Sequence, residues 1–153
     1  MKNKIEIEEE IKKNLGDKMW RLTSGKLYKI KDKEGRVVPF IPNEHQMEYY
    51  KGKYSLNIIP KARQLGFSTA IQIDYFDDFL FRRNFNVGII ADTLPIANEI
   101  FRDKILIARN NLPEWLKGLY KLQTDRANEL IVENTGSRIS VGSGYRKLFV
   151  RLR

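Results

Sequence analysis

Residues 54–108 alternate two kinds of pattern in a fixed order, and that order restricts the fold more than any other feature. "YSLNIIP" (54–60) reads as a strand. Residues 67–83 read as a strong helix, with Ala70, Ile71, Phe76 and Leu80 among its apolar positions. "NVGIIAD" (86–92) has the character of a buried strand. Thr93 can cap the next helix, with Pro95 close to its first turn and a body from Ile96 to about Ala108. Strand, helix, strand, helix implies parallel strands joined by right-handed crossovers. Ligands of such sheets bind outside the carboxyl ends of the strands.

The flanks add simpler pieces. Residues 5–14 can form a short, highly charged helix, and "KLYKIKDKEGRVVPFI" (26–41) reads as a hairpin turning at Asp32 to Gly35. "PNEHQMEYYKGK" (42–53) looks like a helix with Asn43 as N-cap and a glycine at its end. "NELIVENTGSRISVGS" (128–143) reads as a second hairpin, turning at Asn134 to Gly136.

With 153 residues and 42% hydrophobic content, the chain suffices for one globular domain with a real core. No apolar run is long enough to cross a membrane, and the charged start "MKNKIEIEEEIKKNLGDK" is unlike a signal peptide. There is no cysteine and only one histidine, which excludes a disulfide framework and nearly excludes structural zinc. The net charge is +9, part of it in "YRKLFVRLR", which holds Arg146, Lys147, Arg151 and Arg153 and no acid. A basic balance attracts polyanions such as nucleic acid or nucleotide phosphates, and it also serves solubility alone. Charge does not choose between the two.

The stretch with most chemistry is "KARQLGFST" (61–69). Phosphate binding needs backbone N–H donors, a positive helix end and a cation that can reach the oxygens. Gly66 permits a left-handed or close-approach backbone, and Ser68, with Thr69 behind it, is placed to ligate magnesium. The position after the glycine, usually lysine, holds Phe67. Lys61 stands at the start of the loop and Arg63 lies inside it, so either cation can reach a phosphate there. The plainer reading is that Gly66 turns the chain and Ser68 caps a helix. Upstream, Gln46 can donate to and accept from an adenine edge, and the neighbouring Tyr49 and Tyr50 offer rings for stacking. A solvated helix glutamine is the plainer reading there too.

Four segments in order, "LYKIKDKEGRVVPFIPNEHQ", "KARQLGFST", "NVGIIADTLPIANEIF" and "NTGSRISVGSGYR", resemble the N-terminal ATPase domain of tailed-phage terminase large subunits. Those are motors that pump viral DNA into a procapsid. The resemblance covers roughly residues 20–146. It implies an α/β chain with an incomplete P-loop NTPase fold, a mostly parallel sheet flanked by helices, after an N-terminal helix and hairpin. The implied division is 1–42 for that extension, 43–146 for a partial ATPase domain and 147–153 for a basic tail. By the same resemblance Gln46 reads adenine. Lys61, Ala62, Arg63, Gln64, Leu65, Gly66, Phe67, Ser68 and Thr69 form the ATP-binding loop, Lys61 and Arg63 supply its cations, and Ser68 meets magnesium through the nucleotide. Implied cofactors are ATP and Mg²⁺. Implied partners are double-stranded DNA, a portal protein and a terminase small subunit, in the cytoplasm of a bacterial host and without a membrane.

Phosphoryl transfer also needs acids that hold magnesium and polarise water. In that family they follow the segment matching "GYR", whereas here "KLFVRLR" follows Arg146. Asp92 and Glu133 end strand-like runs and read as structural or accessory. Asp74, Asp77 and Asp78 suggest a solvated helix face, and His45 an exposed helix position. The sequence therefore leads us to expect a truncated terminase that retains nucleotide binding with weak or absent hydrolysis, and assigns no catalytic residue. A small basic nucleic-acid-binding protein, or a packaging adaptor without ATPase activity, stays open beside it.

Overall fold

The computed structural model describes residues 3–60, 65–126 and 128–144. The expected basic tail, 147–153, lies outside them. Helix α1 (Lys4–Asn14) starts with a reciprocal cap, in which Asn3 and Glu6 each accept the other's backbone N–H. Helix α2 (Lys18–Thr23) follows, capped by Asp17, whose side chain accepts the Trp20 N–H at 3.1 Å. Strands β1 (Lys29–Lys31) and β2 (Val37–Pro39) form the first hairpin, and α3 (Glu44–Gly52) is capped by Asn43.

The long helix α4 (Phe67–Phe81) precedes β3 (Asn86–Ala91). Helix α5 (Leu94–Ile100) has the expected Thr93 cap and Pro95 in its first turn. It widens into a π-helical stretch, Phe101–Leu106, and ends as α6 (Ile107–Asn110). The short helix α7 (Glu114–Leu119) leads into β4 (Leu122–Arg126), β5 (Glu129–Val132) and β6 (Arg138–Ser143).

The sheet corrects the expected architecture. Its order is β3-β6-β5-β4, and only β3 and β6 run parallel, from Asn86 opposite Arg138 to Ala91 opposite Ser143. The β6–β5 and β5–β4 pairs are antiparallel. The sheet is therefore small and mixed, not the mostly parallel sheet of a P-loop NTPase fold. It is also covered on one face. Val87, Leu130, Val132, Ile139 and Val141 are buried, whereas Asn86, Gly88 and Ile90 on the other face of β3 are exposed. Helices α4 and α5 lie against β3 and β6.

The missing parallel strand is the expected one at 54–60. These residues form no strand, and Tyr54, Leu56 and Ile58 are 83%, 81% and 86% exposed. Asn57 explains part of this locally. Its side chain accepts the Tyr54 N–H at 2.9 Å and donates to the Tyr54 carbonyl at 2.7 Å. Such a local turn gives the backbone an alternative to a ladder.

One core joins the described elements: Ile11, Leu22, Leu27, Tyr28 and Phe40 from the first part of the chain pack in one cluster with Phe76, Phe79, Leu80 and Phe101. Polar contacts at its centre overturn the expected solvated acidic face of α4. Asp77 is 0% exposed and Asp74 is 2% exposed. Arg21 grips Asp77 with two parallel bonds, Nε to Oδ1 and Nη2 to Oδ2, both 2.7 Å. Tyr28 Oη donates to the same carboxylate at 2.5 Å, and Arg21 Nη1 reaches the Leu15 carbonyl. The guanidinium also lies over the Phe81 ring, 4.0 Å from its centroid. Three donors on one buried carboxylate offset its desolvation, which an unpaired charge could not survive.

Two outcomes follow from this node. Arg21→Met leaves the Asp77 charge buried and uncompensated, and should lower unfolding free energy by about 3–5 kcal/mol in urea titrations. A change below about 1 kcal/mol, typical of exposed pairs, would contradict the burial. Burial first, and the Asp77 charge second, push the Tyr28 phenol well above its ordinary value. The unfolded phenol titrates near about 10. The contribution of Tyr28 is thus complete below about pH 10 and lost as pH rises further. Tyr28→Phe should flatten the alkaline limb of the stability profile.

Candidate nucleotide-phosphate site

The site begins with how α4 is entered. Gly66 occupies the N-cap position with φ 70° and ψ 10°, left-handed values that favour glycine, and among the described residues no side chain caps the helix. Its carbonyl accepts from Thr69 and Ala70, both at 3.1 Å. The N–H groups of Phe67 and Ser68 therefore have no acceptor within the helix. Uncapped first-turn donors and the positive helix end favour an anion. Ser68 is exposed in this first turn, Phe67 is half-buried, and Thr69 is turned into the core.

Helix α3 grips this turn from the side. Asn43 and Gln46 form a capping box: each side-chain oxygen accepts the other's backbone N–H at 3.0 Å. The Gln46 amide nitrogen donates to the Gly66 carbonyl at 3.0 Å and the Leu65 carbonyl at 3.4 Å. Asn43 Nδ2 adds a bond to the Leu65 carbonyl at 3.3 Å. A Cβ on Gly66 would lie 2.6 Å from Gln46 Nε2, so the glycine is needed for the close approach as well as for its φ.

Gln46 is buried, and both ends of its amide are engaged by the chain. Here it positions the turn, and reading an adenine edge would require it to leave these partners. Tyr50 is buried too, and donates to the Ala70 carbonyl at 2.9 Å. Tyr49 is half-buried, 5.5 Å from the Tyr50 ring, with its hydroxyl 3.3 Å from Asp74. Both rings thus lie along α4. Burial first, then the Asp74 charge, raise both phenols above their ordinary value.

The structure brings Gln46, Leu65, Gly66, Phe67, Ser68 and Thr69 together around one helix start. Lys61, Ala62, Arg63 and Gln64 lie outside the described residues. Ser68 suits magnesium as a single hydroxyl ligand, because Mg²⁺ keeps several waters and takes the rest of its shell from phosphates. Among the described residues no group of three His, Asp or Glu side chains could hold a metal by itself. Asp92 and Glu133 are exposed, and His45 is exposed with Nδ1 3.8 Å from Glu48. A cleft of about 590 Å³ opens elsewhere, between the β1–β2 turn and α5, with Lys31, Asp32, Glu99, Asp103 and Lys104 in its walls. Its charges are of both signs, and residues 65–70 do not line it.

Sequence reasoning missed the ionic partners behind the site. Lys18 lies 2.9 Å from Asp74 and 2.7 Å from Asp78, and Lys53 Nζ bonds both oxygens of Asp74. Burial alone would lower the Lys18 ammonium, but its bonds to Asp78 and Asp74, with their charges, overcome this and raise it. The capping box could have been found, since Asn43 and Gln46 stand three apart at a helix start. No local pattern marks Asp74 as buried. Comparison with family models and with curated proteins gives no match to this chain. The functional reading rests on the motifs and on the geometry above.

Gly66→Ala tests that geometry. It places a Cβ at a left-handed φ and displaces Gln46, which should cost about 1–3 kcal/mol in urea titrations. Gly118→Ala, in α7 with nothing within 4 Å of the added Cβ, should be neutral or stabilising by up to about 1 kcal/mol. Equal effects at the two positions would remove the special role of Gly66.

Proposed function

We propose that this chain is an ATP-binding segment of a phage DNA-packaging motor of the terminase large-subunit type. The observation that carries the reading is the start of α4. A left-handed glycine, whose carbonyl Gln46 holds, leads into a helix that no side chain caps among the described residues and whose first turn carries the exposed Ser68. This supplies the backbone donors and the hydroxyl that a magnesium–triphosphate needs. The adjoining sequence holds Lys61 and Arg63, which supply cations for the phosphate oxygens. The order of motifs along the chain supports the terminase type over other nucleotide binders.

ATP with Mg²⁺ is the proposed ligand pair. Double-stranded DNA, a portal protein and a small subunit are the proposed partners, in the cytoplasm of a bacterial host. No helix among the described residues is long and apolar enough to cross a membrane. The proposal concerns binding, and the sheet that carries it is the small mixed one described above.

Calorimetric titration with a non-hydrolysable ATP analogue and Mg²⁺ tests it. The chain should bind saturably. Lys61→Ala should weaken binding about tenfold or more, the loss of roughly one charge-assisted contact. Ser68→Ala should reduce the dependence on Mg²⁺. Binding to DNA that falls with salt and ignores both ATP and Lys61→Ala would instead favour a basic nucleic-acid-binding protein.

A further inference from the structure

Contacts between α3 and α4 advance together along both helices. Gln46 meets Gly66, Tyr50 meets Ala70, and Tyr49 and Lys53 meet Asp74. The two helices therefore run side by side in the same direction, with their starts at the same end. Of these contacts, two are made to main-chain carbonyls. A carbonyl recurs at every residue, so bonding to one does not by itself fix how far one helix is slid along the other, although at Gly66 the missing Cβ is what admits Gln46. The Asp74 carboxylate does not recur in this way. Asp77 is taken by Arg21 and Tyr28, and Asp78 by Lys18 and Arg82.

We infer that the Lys53–Asp74 pair sets the register of α3 on α4, and so positions the phosphate-facing turn at Gly66 from the far end of the clasp. Lys53 is suited to the role. It is the C-cap residue of α3, its own N–H bonds the Tyr49 carbonyl at 2.9 Å, and its ammonium lies against a carboxylate that is almost wholly buried. With the pair in place, Gln46 falls on the Leu65 and Gly66 carbonyls, and the left-handed entry to α4 is held. Lys53 and Asp74 are positioning residues, since neither lies at the helix start itself. Lys18 provides a control within the molecule. It bonds the same carboxylate from α2, so it supplies charge to Asp74 without tying α3. The consequence for ligand binding rests on the ATP-binding reading; the consequence for the turn does not.

The test compares Lys53→Met, Lys53→Arg and Lys18→Met in the full chain by two readouts. The first is hydrogen exchange of the Thr69 and Ala70 amides, both bonded to the Gly66 carbonyl, without ligand. The second is titration with the ATP analogue and Mg²⁺. Lys53→Met should speed exchange at these amides about tenfold, a local opening that becomes easier by that factor, and weaken analogue binding to a similar degree. Lys53→Arg should restore most of both. Lys18→Met should lower the melting temperature yet leave exchange at 69–70 and analogue affinity unchanged. Equal responses to Lys53→Met and Lys18→Met, or no change at 69–70 in Lys53→Met, would overturn the inference. Should Lys53→Met fail to fold, Tyr49→Phe removes the other α3 bond to Asp74 and is read by the same two criteria. If exchange responds to Lys53 while even the unaltered chain takes up no analogue, the register role stands and the ATP-binding reading falls.

Discussion

A buried carboxylate must be satisfied or neutralised, and Asp77 meets that demand with partners from distant parts of the chain. Its two oxygens take Arg21 from α2 and Tyr28 from the start of the first hairpin. A charge without water needs geometry of this quality, because its desolvation is not otherwise offset. The first forty residues are therefore fastened to α4 by a directional contact as well as by apolar burial. Leu22, Leu27 and Phe40 then pack where that contact has placed them, beside Phe76 and Phe79.

The remaining polar side chains of α4 extend the arrangement toward its start. Asp74 takes Lys18 and Lys53, the Ala70 carbonyl takes Tyr50, and the Gly66 carbonyl takes Gln46. Helix α4 is thus held from α2 along one part and from α3 along another. A helix held in this way does not depend on a side-chain cap at its first turn, and among the described residues it has none. The same feature that leaves Phe67 and Ser68 N–H without partners in the helix makes them available to an anion.

Much of this was legible locally. Asn43, Thr93 with Pro95, and the turn at Asn134 to Gly136 carry strong short-range signals, and the elements they predict are present. Gly66 before a helical pattern marked the left-handed entry to α4. The failures were of longer range. "YSLNIIP" has strand-like composition, but a strand needs a ladder partner, and Asn57 satisfies the Tyr54 backbone instead. Without that strand the expected parallel series shrinks to β3 and β6. Three aspartates within five positions looked like a wet face, because nothing nearby in sequence announces Arg21, Lys18 or Lys53 as their partners. Gln46 stands three positions after Asn43, a spacing that gives its oxygen a place in a capping box.

The claim on which the rest turns is that the start of α4 is where a polyphosphate docks. Amide-resolved NMR during addition of an ATP analogue with Mg²⁺ tests it residue by residue. The account predicts saturable shifts concentrated at Gly66, Phe67, Ser68 and Thr69, with the Gln46 side-chain amide responding alongside them. Shifts scattered over exposed lysines with no saturation, or a saturable set that spares residues 66–69, would contradict it.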